Sequence, residues 1–117
     1  MHENYLINWK KSSLMKFRIE LTTRAIRDLT KLQKNIQRQI LKESLRLESE
    51  PFQFKNKIKK IRGINFPCYR LRIDLKSDSY RLFYGIDKNI VFILRIVAKK
   101  DADKIIQGIR QSDFPPD

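Results

Sequence analysis

"CYRLRIDLKSDSYRLFYGID", Cys68 to Asp87, holds two runs of alternating apolar and polar residues. In the first run Tyr69, Leu71, Ile73 and Leu75 fall on one side of a pleated strand, and Arg70, Arg72 and Asp74 fall on the other. In the second, Tyr80, Leu82, Tyr84 and Ile86 alternate with Arg81, Phe83 and Gly85. "KSDS" between them has the composition of a turn, so the two runs predict a hairpin. A spacing of two puts Arg70 and Arg72 on the same side, and hairpin pairing brings Arg81 alongside them. Like charges that face each other across strands are destabilising, so stability alone would not select this surface. An anion bound there would.

The segments on either side supply the rest of a fold. "KFRIELT", Lys16 to Thr22, alternates Phe17, Ile19 and Leu21 against Arg18 and Glu20, the pattern of a half-buried strand. Thr22 or Thr23 can cap a helix in which Ile26, Leu29 and Leu32 recur at helical spacing, with Arg27, Asp28 and Lys31 facing water. "KNIQRQILKESLRLESEP" places Ile36, Ile40, Leu41 and Leu47 on a second helical stripe, stopped at Glu50-Pro51. "FQFKNKIKKIRG", Phe52 to Gly63, carries five Lys or Arg in twelve residues and reads as a basic connection into the sheet, with Phe52 and Phe54 as anchors to the core. "IVFILRIVA", Ile90 to Ala98, is apolar on both faces, as a central strand would be. In "KKDADKIIQGIR", Asp101 is a candidate cap for a short helix that packs Ile105, Ile106 and Ile109 on the sheet.

The expected fold is therefore α+β: a small twisted, antiparallel-type sheet of about four strands, two N-terminal helices on one face, and a short C-terminal helix. The open face carries the arginines. One domain is expected over residues 15–112, after an upstream start or loose arm over 1–14 that includes Trp9, with a polar tail over 113–117.

The chain has 117 residues, 41% hydrophobic and 33% charged, enough for one core and too few for two ordinary domains. No apolar run approaches the ~20 residues of a transmembrane helix, so no membrane association is expected. Polar residues interrupt Met1 to Lys11, so no secretory signal is read there and a cytoplasmic location is expected. One cysteine, Cys68, and one histidine, His2, provide neither a disulfide nor the ligand set of a zinc site, so no metal or other cofactor is expected. Twenty-six Lys and Arg against thirteen Asp and Glu give a formal charge of +13, which favours a polyanionic partner: nucleic acid, an anionic membrane surface or an acidic protein, of which nucleic acid or an acidic protein is expected.

From about Met15 to Arg110 the chain resembles the RelE/ParE superfamily of bacterial toxin-antitoxin toxins, and within it the RelE branch. The resemblance lies in the helix pattern of Ala25, Asp28, Leu29, Lys31 and Leu32, the acidic-Pro stop, "KIRG" at Lys60 to Gly63, "CYRLRI", "SYRLFYGID", the apolar last strand and "VAKKDADKII". It implies a ribosome-dependent endoribonuclease that cuts mRNA in the decoding site and is held inactive by an acidic antitoxin. By position, Arg70 and Arg72 match strand lysines that contact RNA and help activate the nucleophile. Arg81 matches the arginine that stabilises the phosphorane, and Lys100 an arginine that acts near the leaving group. Lys60, Arg62 and Lys99 are the further RNA-binding candidates. The family's tyrosine on the last helix falls at Ile106, which cannot transfer a proton. Tyr80 beside the cationic patch and Asp74 or Asp78 at the hairpin turn are the remaining proton acceptors, while Tyr84 is expected to face the core. A ParE-like toxin that shares the fold but binds DNA gyrase without catalysis is the alternative.

Overall fold

Five strands form the sheet of the computed structural model, which describes residues 16–116. The arm expected over 1–14 lies outside the described residues. The strands are β1 (Arg18–Leu21), β2 (Ile58–Lys60), β3 (Cys68–Asp74), β4 (Ser79–Asp87) and β5 (Ile90–Ala98), in the spatial order β1-β5-β4-β3-β2. The expected meander of β3, β4 and β5 is present with antiparallel pairing. Two features differ from expectation. The basic connection contains the short edge strand β2, antiparallel to β3, and β1 lies parallel to β5 with Arg18 opposite Ile90, so the sheet is mixed.

The helices α1 (Thr23–Thr30) and α2 (Lys34–Ser44) connect the two edge strands. Thr22 starts α1, accepting from the Ala25 amide at 3.2 Å while its hydroxyl donates to the Ile93 carbonyl at 2.9 Å. One side chain thus caps the helix and ties it to β5. The buried positions of α1 are Ala25 and Leu29; Ile26, expected on the apolar stripe, is exposed. In α2, Ile36 and Ile40 are buried and Leu41 is exposed. The stop at Pro51 is pinned to the sheet, because the buried Tyr84 hydroxyl donates to the Pro51 carbonyl at 2.6 Å. Phe54 is buried as an anchor, whereas Phe52 is exposed and meets Phe17 and Tyr69 edge-on.

The main core lies on the helix side of the sheet, where Ile40, Leu47, Leu71, Leu82, Tyr84 and Ile93 pack together. A smaller core occupies the other face. There α3 (Ala102–Arg110) sets Ile109 against Cys68, Phe83 and Val97, with Ile105 and Ile106 half-buried beside them. The arginine face is therefore open over only part of its area. Asp101 does not cap α3 with its side chain; Lys99–Asp101 form a 3-10 turn, and the Asp101 carboxylate lies 3.6 Å from Lys104.

The C-terminal stretch closes the far end of this second face. Phe114 stacks on Phe66 with centroids 4.1 Å apart and meets Phe92 edge-on at 5.6 Å. Beneath it lies Gly85, where a Cβ would come within 2.6 Å of the Phe114 ring and 2.9 Å of Phe66. Gly85→Ala should therefore expel Phe114 from its seat, and Phe114→Ala should forfeit the same contacts. Each should cost about 1–3 kcal/mol, and the double variant no more than the larger single. Denaturant unfolding of the three variants checks this. Additive losses would separate the two residues.

Burial also sets an alkaline limit. The Cys68 thiol, fully buried, is pushed from 9.0 up to about 12 by loss of solvation, against a smaller opposing effect of the Tyr69 backbone hydrogen bond. Burial, followed by Tyr69 and Cys68, pushes Tyr84 upward too. Both are acids whose folded values exceed their unfolded ones, so their contribution is complete below the unfolded values and is lost as pH rises. Stability should fall from about pH 9 towards pH 12, and Cys68→Ala should remove the earliest part of the decline in pH-dependent denaturation.

Candidate functional site

Strand register decides which cations meet. Across β3 and β4, Arg72 stands opposite Arg81, Arg70 opposite Phe83, and Asp74 opposite Ser79. Across β2 and β3, Lys59 stands opposite Arg70, and the Arg72 amide donates to the Lys57 carbonyl at 2.8 Å, which carries the pairing one residue further. Arg70, Arg72, Arg81, Lys57 and Lys59 consequently share one face over three strands. The three arginines are together, as the hairpin pattern implied. The two lysines lie in the segment whose composition suggests a basic connection, yet Lys57-Ile58-Lys59 shows a short period-2 signal, with Ile58 packed on the main core.

Arg81 is buried, 7% exposed, and its Nη1 donates to the Tyr80 carbonyl at 3.0 Å and to the Ser79 hydroxyl at 3.2 Å. The Ser79 hydroxyl in turn donates to Asp74. The Asp74 carboxylate lies 3.1 Å from Arg72 Nε and 4.0 Å from Arg81 Nη1. These contacts hold Asp74 below the usual carboxylate range, with the Ser79 hydrogen bond first and then the charges of Arg72, Arg81 and Lys57, against a raising effect of burial. Asp74 is thus ionised at neutral pH, and it is one carboxylate among five cations.

Arg70 has no ion pair among the described residues. Burial, then the like charges of Arg81 and Arg72, lower its affinity for a proton. The buried Nε atoms of Arg70 and Arg72 both lack a hydrogen-bond partner, the 3.1 Å approach of Asp74 to Arg72 being outside hydrogen-bond geometry. A buried unpaired donor costs about 1–3 kcal/mol, more when charged, and an incoming anion would recover that. A guanidinium fork matches two oxygens of a phosphate, so the arrangement has the chemistry to accept one and to stabilise charge developing on it.

The other candidates lie elsewhere. Lys60 pairs with Tyr69, on the alternate pleat from Lys59, and Arg62 is exposed beyond β2. Lys99 and Lys100 are exposed in the 3-10 turn and line a cleft of about 1040 Å3 with Lys31, Lys104 and Tyr80. Arg70, Arg72 and Arg81 do not line that cleft. The arginine cluster, with its unpaired donors, is the better candidate for phosphate chemistry. Tyr80, expected beside the cations, is buried on the opposite face with its hydroxyl pushed upward by burial and Asp78, because neighbouring residues of a strand point to opposite sides. Tyr84 faces the main core as expected. Ile106 belongs to the smaller core.

Residues 19–102 match the family described as "ParE toxin of type II toxin-antitoxin system, parDE". No curated protein matches the chain by sequence at a significant level. Among solved structures, a double variant of the E. coli toxin RelE in the free state is 26% identical with a TM-score of 0.61, over 80% of this chain and 94% of that one. The toxin-antitoxin complex RelBE2 from Mycobacterium tuberculosis gives 29% identity and a TM-score of 0.59, over 72% and 99%. The archaeal RelE-RelB complex from Pyrococcus horikoshii OT3, 24% identical with a TM-score of 0.59 over 72% and 96%, shares the fold. With the family match spanning most of the described residues and RelE toxins sharing its sheet and helices, the chain belongs to the RelE/ParE superfamily of type II toxin-antitoxin toxins.

Proposed function

We propose that this toxin is a RelE-like endoribonuclease that cleaves mRNA in the ribosomal decoding site and so inhibits translation. The observation that carries the reading is the cross-strand pair Arg72–Arg81 with Arg70 one pleat away, a cluster with one carboxylate and two unpaired buried donors. In the reaction the RNA 2'-hydroxyl attacks the adjacent phosphorus, a 2',3'-cyclic phosphate forms, and the bond to the 5'-oxygen breaks. Arg81, buried and held by Tyr80 and Ser79, is the group that stabilises the phosphorane. Arg70 and Arg72 bind the phosphate oxygens, and Lys100, which lines the separate cleft, is assigned to the leaving-group side by its family position alone. Asp74, the carboxylate in contact with Arg72 and Arg81, is assigned to accept the 2'-hydroxyl proton, and the ribosome supplies alignment of the RNA.

A cognate acidic antitoxin is the proposed protein partner. The relative from M. tuberculosis is a toxin-antitoxin complex, and the +13 charge suits an acidic binder. Among the described residues no helix is long and apolar enough to cross a membrane. A gyrase-binding toxin is the second reading, favoured by Ile106 at the family's tyrosine position and by the ParE description of the matching family.

One experiment separates the two. Purified protein is added to a reconstituted translation system and mRNA 3' ends are mapped with and without ribosomes, alongside a gyrase supercoiling assay. New ends confined to ribosome-bound mRNA support the first reading. Inhibited supercoiling with intact mRNA supports the second.

A further inference from the structure

We infer that Lys57 and Lys59 on the edge strand β2 form a second phosphate subsite, which takes the RNA phosphate next to the one held by the arginines. This rests on the RNA-cleaving reading above.

Their direction is set by packing rather than by chance. Ile58 lies between them, stands opposite Leu71 and packs on the main core, so both neighbours must point to the arginine side. A slip of one residue would bury two ammonium groups. Register then aligns the side chains in rows across the strands. Arg81, Arg72 and Lys57 make one row, and Phe83, Arg70 and Lys59 the next. Strands lie about 4.8 Å apart, and residues two apart on a strand are about 6.6 Å apart. The cations thus form a grid leading from the buried Arg81, through the half-buried Arg70, Arg72 and Lys57, to the exposed Lys59 at the edge of the sheet. Phe83, covered by α3, closes the opposite end of the second row, so the open way out from the arginines runs towards β2.

Neither lysine has an ion pair among the described residues, and the nearby Asp74 carboxylate is already in contact with Arg72 and Arg81. Lysines on an edge strand also discourage sheet-to-sheet pairing, but that role needs only charge, not alignment with a row of arginines. Lysine serves a flanking phosphate well, since a mobile point charge tolerates a flexible backbone. The fork of arginine suits the reacting centre.

The test is binding of the full chain to a 2'-O-methyl RNA 12-mer, which cannot be cleaved, measured by fluorescence anisotropy over a range of salt concentrations. Each phosphate neutralised on a single strand contributes about 0.7 to the slope of log affinity against log salt. Lys57→Gln/Lys59→Gln should reduce the slope by about 0.7, the share of one phosphate, and weaken binding several-fold at low salt. The control, Lys34→Gln/Lys42→Gln on α2, removes the same charge from exposed sites and should change the slope by less than half as much. Equal slopes for the two double variants would overturn the subsite while wild-type binding keeps the RNA reading alive. Absence of salt-dependent binding by the wild type would overturn both.

Discussion

Arg81→Ala should abolish most RNA cleavage, by about 10²–10³-fold in turnover, while the chain still folds. Negative charge builds on the nonbridging oxygens only as the phosphorane forms, so a guanidinium already in place stabilises the transition state more than the ground state. Arg81 meets that requirement. It is 7% exposed, and its Nη1 is fixed by the Tyr80 carbonyl and the Ser79 hydroxyl, so little reorientation is needed during reaction. The same contacts mean that alanine also removes buried hydrogen bonds, a cost of about 1 kcal/mol, offset in part because Arg72 loses the like charge opposite it. Arg81→Lys should keep a charge but lose the fork, with activity between wild type and alanine. Mapping of mRNA 3' ends in a reconstituted translation system, with a thermal melt of each variant, provides the measurement. A folded alanine variant that cuts at the wild-type rate, or still arrests growth on expression, would remove Arg81 from the chemistry.

How far this site could be read from the chain depends on how local its determinants are. Alternation within β3 and β4 placed Arg70, Arg72 and Arg81 on one face, since strand parity needs only neighbouring residues and a turn. β2 has no such mark, because three residues give little periodicity and the surrounding lysines give the segment the look of a solvated connection. The direction of Lys57 and Lys59 is hidden for the same reason. The parallel pairing of β1 with β5 joins segments about seventy residues apart and leaves no local mark. The covering of the arginine face by α3 and Phe114 depends on the same kind of distant contact: in "SDFPPD" one aromatic among polar residues and prolines reads as tail, and its seat is visible only once Gly85, Phe66 and Phe92 are assembled. Parity also explains Tyr80. A residue adjacent to Arg81 in the chain is necessarily on the other face of the sheet.

Asp28→Ala should be the most destabilising polar substitution considered, at about 3 kcal/mol, and should lower the melting temperature by roughly 15 °C. Its helical spacing assigned Asp28 to the solvent side of α1. Instead its carboxylate receives Arg95 Nε at 2.7 Å, Arg95 Nη2 at 3.1 Å and the Ile96 amide at 2.9 Å, with the two side chains only 10% and 18% exposed. The reason lies in β5. Its pairing with β4 shifts between Phe83 and Tyr84, leaving Leu94 as an extra residue, and this bulge directly precedes Arg95 and Ile96. Asp28 compensates the displaced guanidinium and occupies the amide that follows the bulge, joining α1 to the central part of the sheet. Alanine would leave a largely buried cation and a backbone donor without partners, which makes breaking the pair more costly than never having formed it. Asp28→Asn retains an acceptor for the amide and should lose less, about 1–2 kcal/mol. The double replacement Asp28→Leu/Arg95→Met removes both charges and should recover much of the loss. Beyond the bulge the register sets Val97 opposite Arg81, so Asp28 also supports the strand against which Arg81 is packed. Denaturant unfolding of these variants, read together with RNA cleavage, decides the matter: an alanine variant as stable as wild type would show that the bulge holds its shape without Asp28.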